Sequence, residues 1–371
     1  MERKDELLGR NFLFWLSQYI DHPLLPPDMV QVNFSFRCNL RCRMCNMHEQ
    51  MESMKKQNRQ IEIDTPLFKK IIKDTKDLGT KTILFLGGEP FLREDLFELI
   101  KYAKGFGLNT SLVTNGVLMN EKIIKDCFDA GLDWLTVSID AASEKVFSQI
   151  RGQNFLKTIV NNIGNLNKLK KQNHKEFPKV VVCCTVMNEN LEELAQVAEL
   201  CKTLEASRVF FQPVVACNVD QTQRINEFPG SIPQERLKVL DESISKLIEY
   251  KKSSPINYSF IANSIKLLEL MKEYFRGNID PHKVPCYAGY NRLQIVQEGK
   301  IYFCVNQNQY ESIFGDLGKD SLKKLWYSKK ANDYRKLIKG CRVPCLQWCS
   351  LREEFVELVE YSQKKDLFGE T

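Results

Sequence analysis

The sequence predicts an α/β fold with a parallel sheet and a small C-terminal α+β unit, on three observations. Six short apolar segments, at residues 30–36, 82–86, 109–113, 134–139, 180–186 and 208–213, are mostly separated by helical patterns. Apolar runs of this kind belong to parallel strands buried on both faces. From residue 286 the pattern changes, and residues 292–296 and 300–303 flank Glu298-Gly299, which reads as a hairpin. Eight of the 13 cysteines fall into two groups with ligand-like spacing, one in each region.

The elements follow in order. Residues 5–20 predict an amphipathic helix, with Leu7, Leu8, Phe12, Phe14, Trp15 and Tyr19 on one broad face. Pro23, Pro26 and Pro27 break the chain before the first strand. Asp64-Thr65-Pro66 supplies a capping carboxylate and a first-turn proline, a helix start. Residues 225–280 read as mainly helical, most clearly over 237–250, and a further helix is expected over 321–338. The expected organisation is a helical lead-in (1–29), the strand–helix region (30–225), a helical connection (226–280), a cysteine-bearing unit (281–350) and a C-terminal helix or tail (351–371).

Composition narrows the class. A formal charge of +6 over 371 residues does not point to nucleic acid. No apolar run approaches the ~20 residues of a membrane span. Acidic residues interrupt the first six positions, unlike a signal peptide. Cysteines spaced as ligands fit a reducing compartment, so a cytoplasmic protein is expected.

Cys38, Cys42 and Cys45 form a C-x3-C-x2-C run directly after the first strand. Three such thiolates hold three irons of a 4Fe–4S cluster and leave the fourth open to a small molecule. Core cysteines, or three of four zinc ligands, are the alternatives. Arg41 and Arg43 between the thiols oppose the first, and the absence of paired C-x2-C knuckles opposes the second.

The stretch from Cys38 to Cys45 resembles the signature of the radical S-adenosylmethionine enzymes. That resemblance implies a partial (β/α)6 TIM-like barrel with a C-terminal SPASM- or Twitch-like iron–sulfur domain. It also implies S-adenosyl-L-methionine on a 4Fe–4S cluster, cleaved to a 5′-deoxyadenosyl radical, and a flavodoxin- or ferredoxin-type electron donor. Met44 stands where the family usually has an aromatic residue, and its thioether is expected to pack on the adenine. Gly87-Gly88-Glu89-Pro90 resembles the family's GGE turn, which binds the methionine amino group. Thr114, Asn115, Ser138 and Asp140 fall on segments similar to those lining the ribose. Arg151 is a two-pronged partner for the methionine carboxylate. Asn188 and Gln212 face the expected site from the next strand ends. Turn and capping chemistry is the plain alternative for these residues. Function at strand ends suits the barrel, whose chemistry gathers on its βα loops.

Cys286-x12-Gly299-x4-Cys304 resembles the first half of the SPASM/Twitch pattern, and Cys341, Cys345 and Cys349 follow. Five cysteines, rather than the seven of the full pattern, imply one auxiliary 4Fe–4S cluster. Which of the last three completes the set is open, and a structural zinc is the alternative. The resemblance covers nearly all of residues 30–350. Cys127, Cys183, Cys184, Cys201 and Cys217 remain, and most are expected in the core. Cys183, Cys184 and Cys217 are the candidate hydrogen donors, of which only one of the adjacent pair points into a barrel.

The expected activity is hydrogen abstraction from a C–H bond, ending in oxidation or epimerisation. With only ~30 residues before the first strand, too few for a leader-binding domain, a small polar metabolite such as a sugar or aminocyclitol is expected. A ribosomally made peptide is the runner-up. A non-catalytic iron–sulfur or zinc protein is the rival from another class.

Overall fold

The computed structural model describes residues 2–215, 231–279, 284, 286–304, 313–341 and 345–347, with first-helix side chains described from Gly9 onward. Cys217, Cys349 and residues 351–371 lie outside the described residues. The lead-in is α1 (Glu2–Tyr19). Then come β1 (Met29–Asn33), α2 (Met47–Lys56), α3 (Thr65–Leu78), β2 (Thr82–Leu86), α4 (Leu96–Gly105), β3 (Asn109–Thr114) and α5 (Glu121–Ala130). They are followed by β4 (Trp134–Ser138), α6 (Glu144–Arg151), α7 (Leu156–Gln172), β5 (Lys179–Val186), α8 (Leu194–Thr203) and β6 (Arg208–Pro213). Three helices, α9 (Leu237–Lys252), α10 (Pro255–Phe260) and α11 (Ile265–Arg276), lead to β7 (Arg292–Ile295), β8 (Lys300–Tyr302), β9 (Gly315–Asp316), α12 (Leu322–Trp326) and α13 (Lys329–Lys339).

All six predicted β/α strands are present and pair in parallel, β1 to β6 in sequence order. The expected hairpin is also present, with Gly299 at a φ of 70° in its turn. It does not stand apart, however. β7 pairs in parallel with the free edge of β1, so one nine-stranded sheet runs β6-β5-β4-β3-β2-β1-β7-β8-β9.

Strand alternation sorts the side chains into two layers. Val30, Val32, Ile83, Phe85, Leu112, Val137, Val182, Cys184 and Phe211 are buried in the core shared with the flanking helices. Their neighbours Leu84, Leu86, Val113, Thr136, Ser138, Cys183, Thr185, Phe210 and Gln212 are only half-buried and occupy the inner face of the barrel. Cys127, Cys201 and Cys184 are thus core residues, as expected for free cysteine.

Local signals act as read. Asp64 Oδ1 accepts from the Leu67 amide at 2.8 Å and caps α3. Phe68 of α3 sits 5.5 Å from both Phe34 and Phe85, and the Arg93 guanidinium stacks over Phe34 and Phe68. Such ring pairs add about 0.5–1.5 kcal/mol each beyond burial and fix the ends of β1 and β2. The single helix expected over 321–338 is a correction: it breaks at Tyr327-Ser328. The Ser328 hydroxyl accepts from the Ala331 amide at 3.1 Å and starts α13 anew.

The C-terminal unit is anchored on the barrel by polar contacts. Arg59 grips Glu298 in two-pronged fashion at 2.9 and 2.5 Å, and Asp74 of α3 accepts from the Leu322 amide at 3.0 Å. Among the described residues no helix is long and apolar enough to cross a membrane.

Candidate active site and metal centres

The cysteine run leaves β1 as a loop clasped from three sides. The Gly88 amide donates to Ser35 O and the Glu89 amide to Arg37 O, both at 2.7 Å. A Cβ at Gly88 would lie 2.2 Å from the Arg37 carbonyl oxygen and 2.9 Å from Cys38 Cβ, so only glycine lets the two backbones meet. The Arg43 amide donates to Ile150 O at 2.8 Å, which ties the loop to α6. Arg43 also pairs with Glu189 at 3.1 Å, and Asn39 Oδ1 accepts from Asn115 Nδ2 at 2.7 Å. Cys38 and Cys42 are half-buried and Cys45 is exposed. Removal from water pushes the Cys38 thiol up to about 11, with Glu89 and the other two thiols adding to the rise. Met44 is half-buried against the core.

Glu89 is 1% exposed. Its Oε1 accepts from the Phe91 amide at 3.1 Å and Thr114 Oγ1 at 2.8 Å, and Oε2 from the Asn115 amide at 2.9 Å. Burial raises its pKa even against these donors. A carboxylate offers about four acceptor positions, so these three bonds leave room for one further donor, which fits a cationic amino group. Thr114 and Asn115 thereby position Glu89 and the cysteine loop.

Asp140 is fully buried, accepts from the Thr185 amide at 2.8 Å, and pairs with Arg151 Nη2 at 2.5 Å. Arg151 Nη1 points at the Cys42 sulfur, 3.6 Å away, and its buried Nε has no hydrogen-bond partner. Burial opposes the charge on Arg151, but Asp140 and the Cys42 sulfur outweigh it and raise its pKa. That unused Nε fits an anionic group beside the cysteine loop. Asn188 Oδ1 is likewise buried without a partner.

Ser138 ends β4 on the inner face, in register with Cys183 of β5. Cys183 therefore faces the barrel interior, whereas Cys184 turns into the helix layer, its sulfur 3.8 Å from the Asp140 carbonyl. Burial, with Asp140 adding, pushes the Cys183 thiol up to about 12. Gln212 of β6 donates to the Leu346 carbonyl at 2.9 Å.

That last contact brings in the second cysteine group. Cys286, Cys304 and Cys345 act on one another electrostatically, and Cys341 acts on Cys345. Burial raises the Cys286 thiol and lifts Cys345 to about 11. Arg292 of β7 is 2% exposed and within electrostatic reach of Cys286, Cys304 and Cys345. It donates to Gln31 Oε1 of β1 at 3.3 Å and to Gln347 Oε1 at 3.0 Å. Sequence reasoning passed over Arg292, Gln31 and Gln347. The available signal was an arginine opening a strand of the cysteine-bearing hairpin. Among the described residues no group of three or more His, Cys, Asp or Glu side chains is placed to hold a metal ion. A cluster spreads its ligand sulfurs around a larger body.

A partial parallel barrel with three loop cysteines beyond its first strand, plus a second cysteine group on the continued sheet, defines a class of iron–sulfur enzyme. The radical SAM superfamily pattern matches residues 32–201, and an iron–sulfur cluster-binding (SPASM) domain matches residues 286–350. The chain belongs to the radical SAM superfamily, with a SPASM domain, and its cofactors are S-adenosylmethionine, a 4Fe–4S cluster and auxiliary cluster iron. The fold is similar to that of SuiB from Streptococcus suis, at 16% identity and a TM-score of 0.64, covering 96% of this chain and 79% of that one. SuiB bound to its precursor peptide SuiA gives 15% and 0.63, over 96% and 78%. AnSMEcpe with bound AdoMet and the Kp18Cys peptide gives 16% and 0.62, over 91% and 98%.

Proposed function

We propose that this enzyme takes a hydrogen atom from a C–H bond of a peptide substrate held on the inner face of the barrel. The observation that carries this reading is the meeting of Cys42, Glu89 and Arg151 at one end of the sheet, with Arg151 Nη1 3.6 Å from the Cys42 sulfur. When bound, S-adenosylmethionine and the clusters supply a 5′-deoxyadenosyl radical and a second one-electron site. Cys38, Cys42 and Cys45 hold the first cluster. Glu89 takes the methionine ammonium and Arg151 the carboxylate, each through the capacity its protein partners leave unused. Ser138, Asn188 and Met44 border the nucleoside. Cys286, Cys304 and Cys345, with Cys341 beside them, hold one auxiliary 4Fe–4S cluster.

Peptide substrates are favoured because SuiB and anSMEcpe, whose folds match most of this chain, have structures with peptides bound. A small polar metabolite is the second reading. The hydroxyl and amide groups of Thr136, Ser138, Thr185 and Gln212 on the inner face favour it. Oxidation is the favoured outcome. Inversion has its own support in Cys183, a thiol on the inner face of the barrel in register with Ser138.

Anaerobic reconstitution with iron and sulfide tests the reading. Reduced protein given S-adenosylmethionine should release 5′-deoxyadenosine, and C38A/C42A/C45A should release none. Tightly bound zinc with no iron uptake overturns it. Product analysis on peptide and metabolite pools then separates the two substrate classes.

A further inference from the structure

Arg292 is a cation that the fold keeps among the auxiliary cysteines. It opens β7 between β1 and β8, inside the sheet, at 2% exposure. Placing a guanidinium there is costly, because burial works against its charge. Hydrophobic side chains would fill a sheet interior at lower cost. The head is instead held in one orientation by two amide oxygens, Gln31 Oε1 at 3.3 Å and Gln347 Oε1 at 3.0 Å. Gln31 lies two residues before Asn33, at the end of β1 where the cysteine loop begins, and Gln347 lies two residues after Cys345. Cys286 precedes the strand, Cys304 follows the hairpin and Cys345 lies two residues before Gln347, so the thiols whose charge acts on Arg292 come from three separate segments.

We infer that Arg292 sets the reduction potential of the auxiliary cluster, holding it high enough to accept one electron from the substrate side. This rests on the auxiliary cluster proposed above. One-electron reduction adds one negative charge to a cluster already made anionic by thiolates. Away from water that charge is opposed unless a fixed cation lies beside it. Arg292 supplies such a cation at all pH values of interest, since a guanidinium is not deprotonated in proteins. Gln31 and Gln347 are positioning residues, because they keep the charge aimed at the sulfurs. Gln347 also shares its segment with Leu346, whose carbonyl accepts from Gln212, so the same segment reaches the wall of the barrel.

The test uses the full chain carrying C38A/C42A/C45A, so that only the auxiliary site is loaded. Iron is counted, and the potential is then read by redox titration with electron paramagnetic resonance detection. In that background R292Q should move the midpoint to more negative potential, while R292K, which keeps the charge, stays close to the parent. No iron in the triple variant overturns the auxiliary cluster itself. Iron present with the same potential in all three proteins overturns the inference alone. If R292Q binds no iron, the comparison rests on R292K, whose potential close to the parent supports the inference and whose clearly more negative potential overturns it. If neither binds iron, shape and not charge decides the site, and the inference fails.

Discussion

The guanidinium of Arg151 donates to the Cys42 sulfur across 3.6 Å and so joins α6 to the cysteine loop. The same side chain holds Asp140 at 2.5 Å, at the end of β4. One residue therefore ties the loop that follows the first strand to the fourth and fifth β/α units. Removing it disturbs fold and chemistry together.

R151M leaves Asp140 as an unpaired carboxylate with no exposure. Breaking a buried pair from one side costs about 3–5 kcal/mol. Urea unfolding of the iron-free protein should show a loss of that order for R151M. The double variant R151M/D140N should lose less than the sum of the two single changes. Additive losses would mean that the pair is not coupled.

E89Q tests the carboxylate that collects the Phe91, Thr114 and Asn115 donors. An amide presents an NH2 group to at least one of them, and hydrogen bonds to charged groups are worth about 1.5–3 kcal/mol. The variant should be less stable, and S-adenosylmethionine should bind ~10-fold more weakly or worse by calorimetry on reconstituted protein. Unchanged affinity would remove Glu89 from the binding pocket.

G88A should unseat the cysteine loop, because its methyl would meet the Arg37 carbonyl at 2.2 Å. The measurable result is lower iron uptake at the first cluster, with the auxiliary iron retained. Full iron loading at both sites would show that the close approach is not needed.

Asp95 gives a pH-dependent stability. Burial pulls its pKa up, but Arg93 and Thr65 outweigh burial and hold it below the usual carboxylate range. Arg93 grips it at 2.5 and 2.9 Å. A depressed folded pKa adds stability that is present above the unfolded value of ~3.9 and fades as pH falls through the folded value. D95N should therefore be less stable than the parent at pH 7, by roughly 1.5–3 kcal/mol. The gap should close below about pH 4. A gap independent of pH would assign the effect to packing.

C183A separates the two chemical outcomes. If oxidation is the reaction, product formation survives the change, and the product is two hydrogens lighter with no deuterium from D2O. If Cys183 returns a hydrogen atom, C183A forms deoxyadenosine without inversion, and the parent product gains one solvent deuterium. Cys184, turned into the helix layer, should be replaceable by Ala with a stability loss alone.

The sequence by itself determined the local chemistry. Three cysteines beyond a strand, two glycines before Glu89, a carboxylate cap at Asp64 and six short apolar runs each express a short-range rule. Those rules fixed the strands, their parallel sense and the identity of the loop. Tertiary structure decided what depends on residues far apart in the chain. The pairing of β7 with β1 brings Arg292 beside Gln31, 261 positions away, and no local pattern encodes that neighbour. The choice between Cys183 and Cys184 followed from which face of β5 meets the helices. The break at Ser328 arose because a hydroxyl cap competed with helix periodicity over 321–338. The tie from Gln212 to Leu346 joins the barrel edge to the second cysteine group through a backbone carbonyl, a group every residue carries and no sequence pattern singles out.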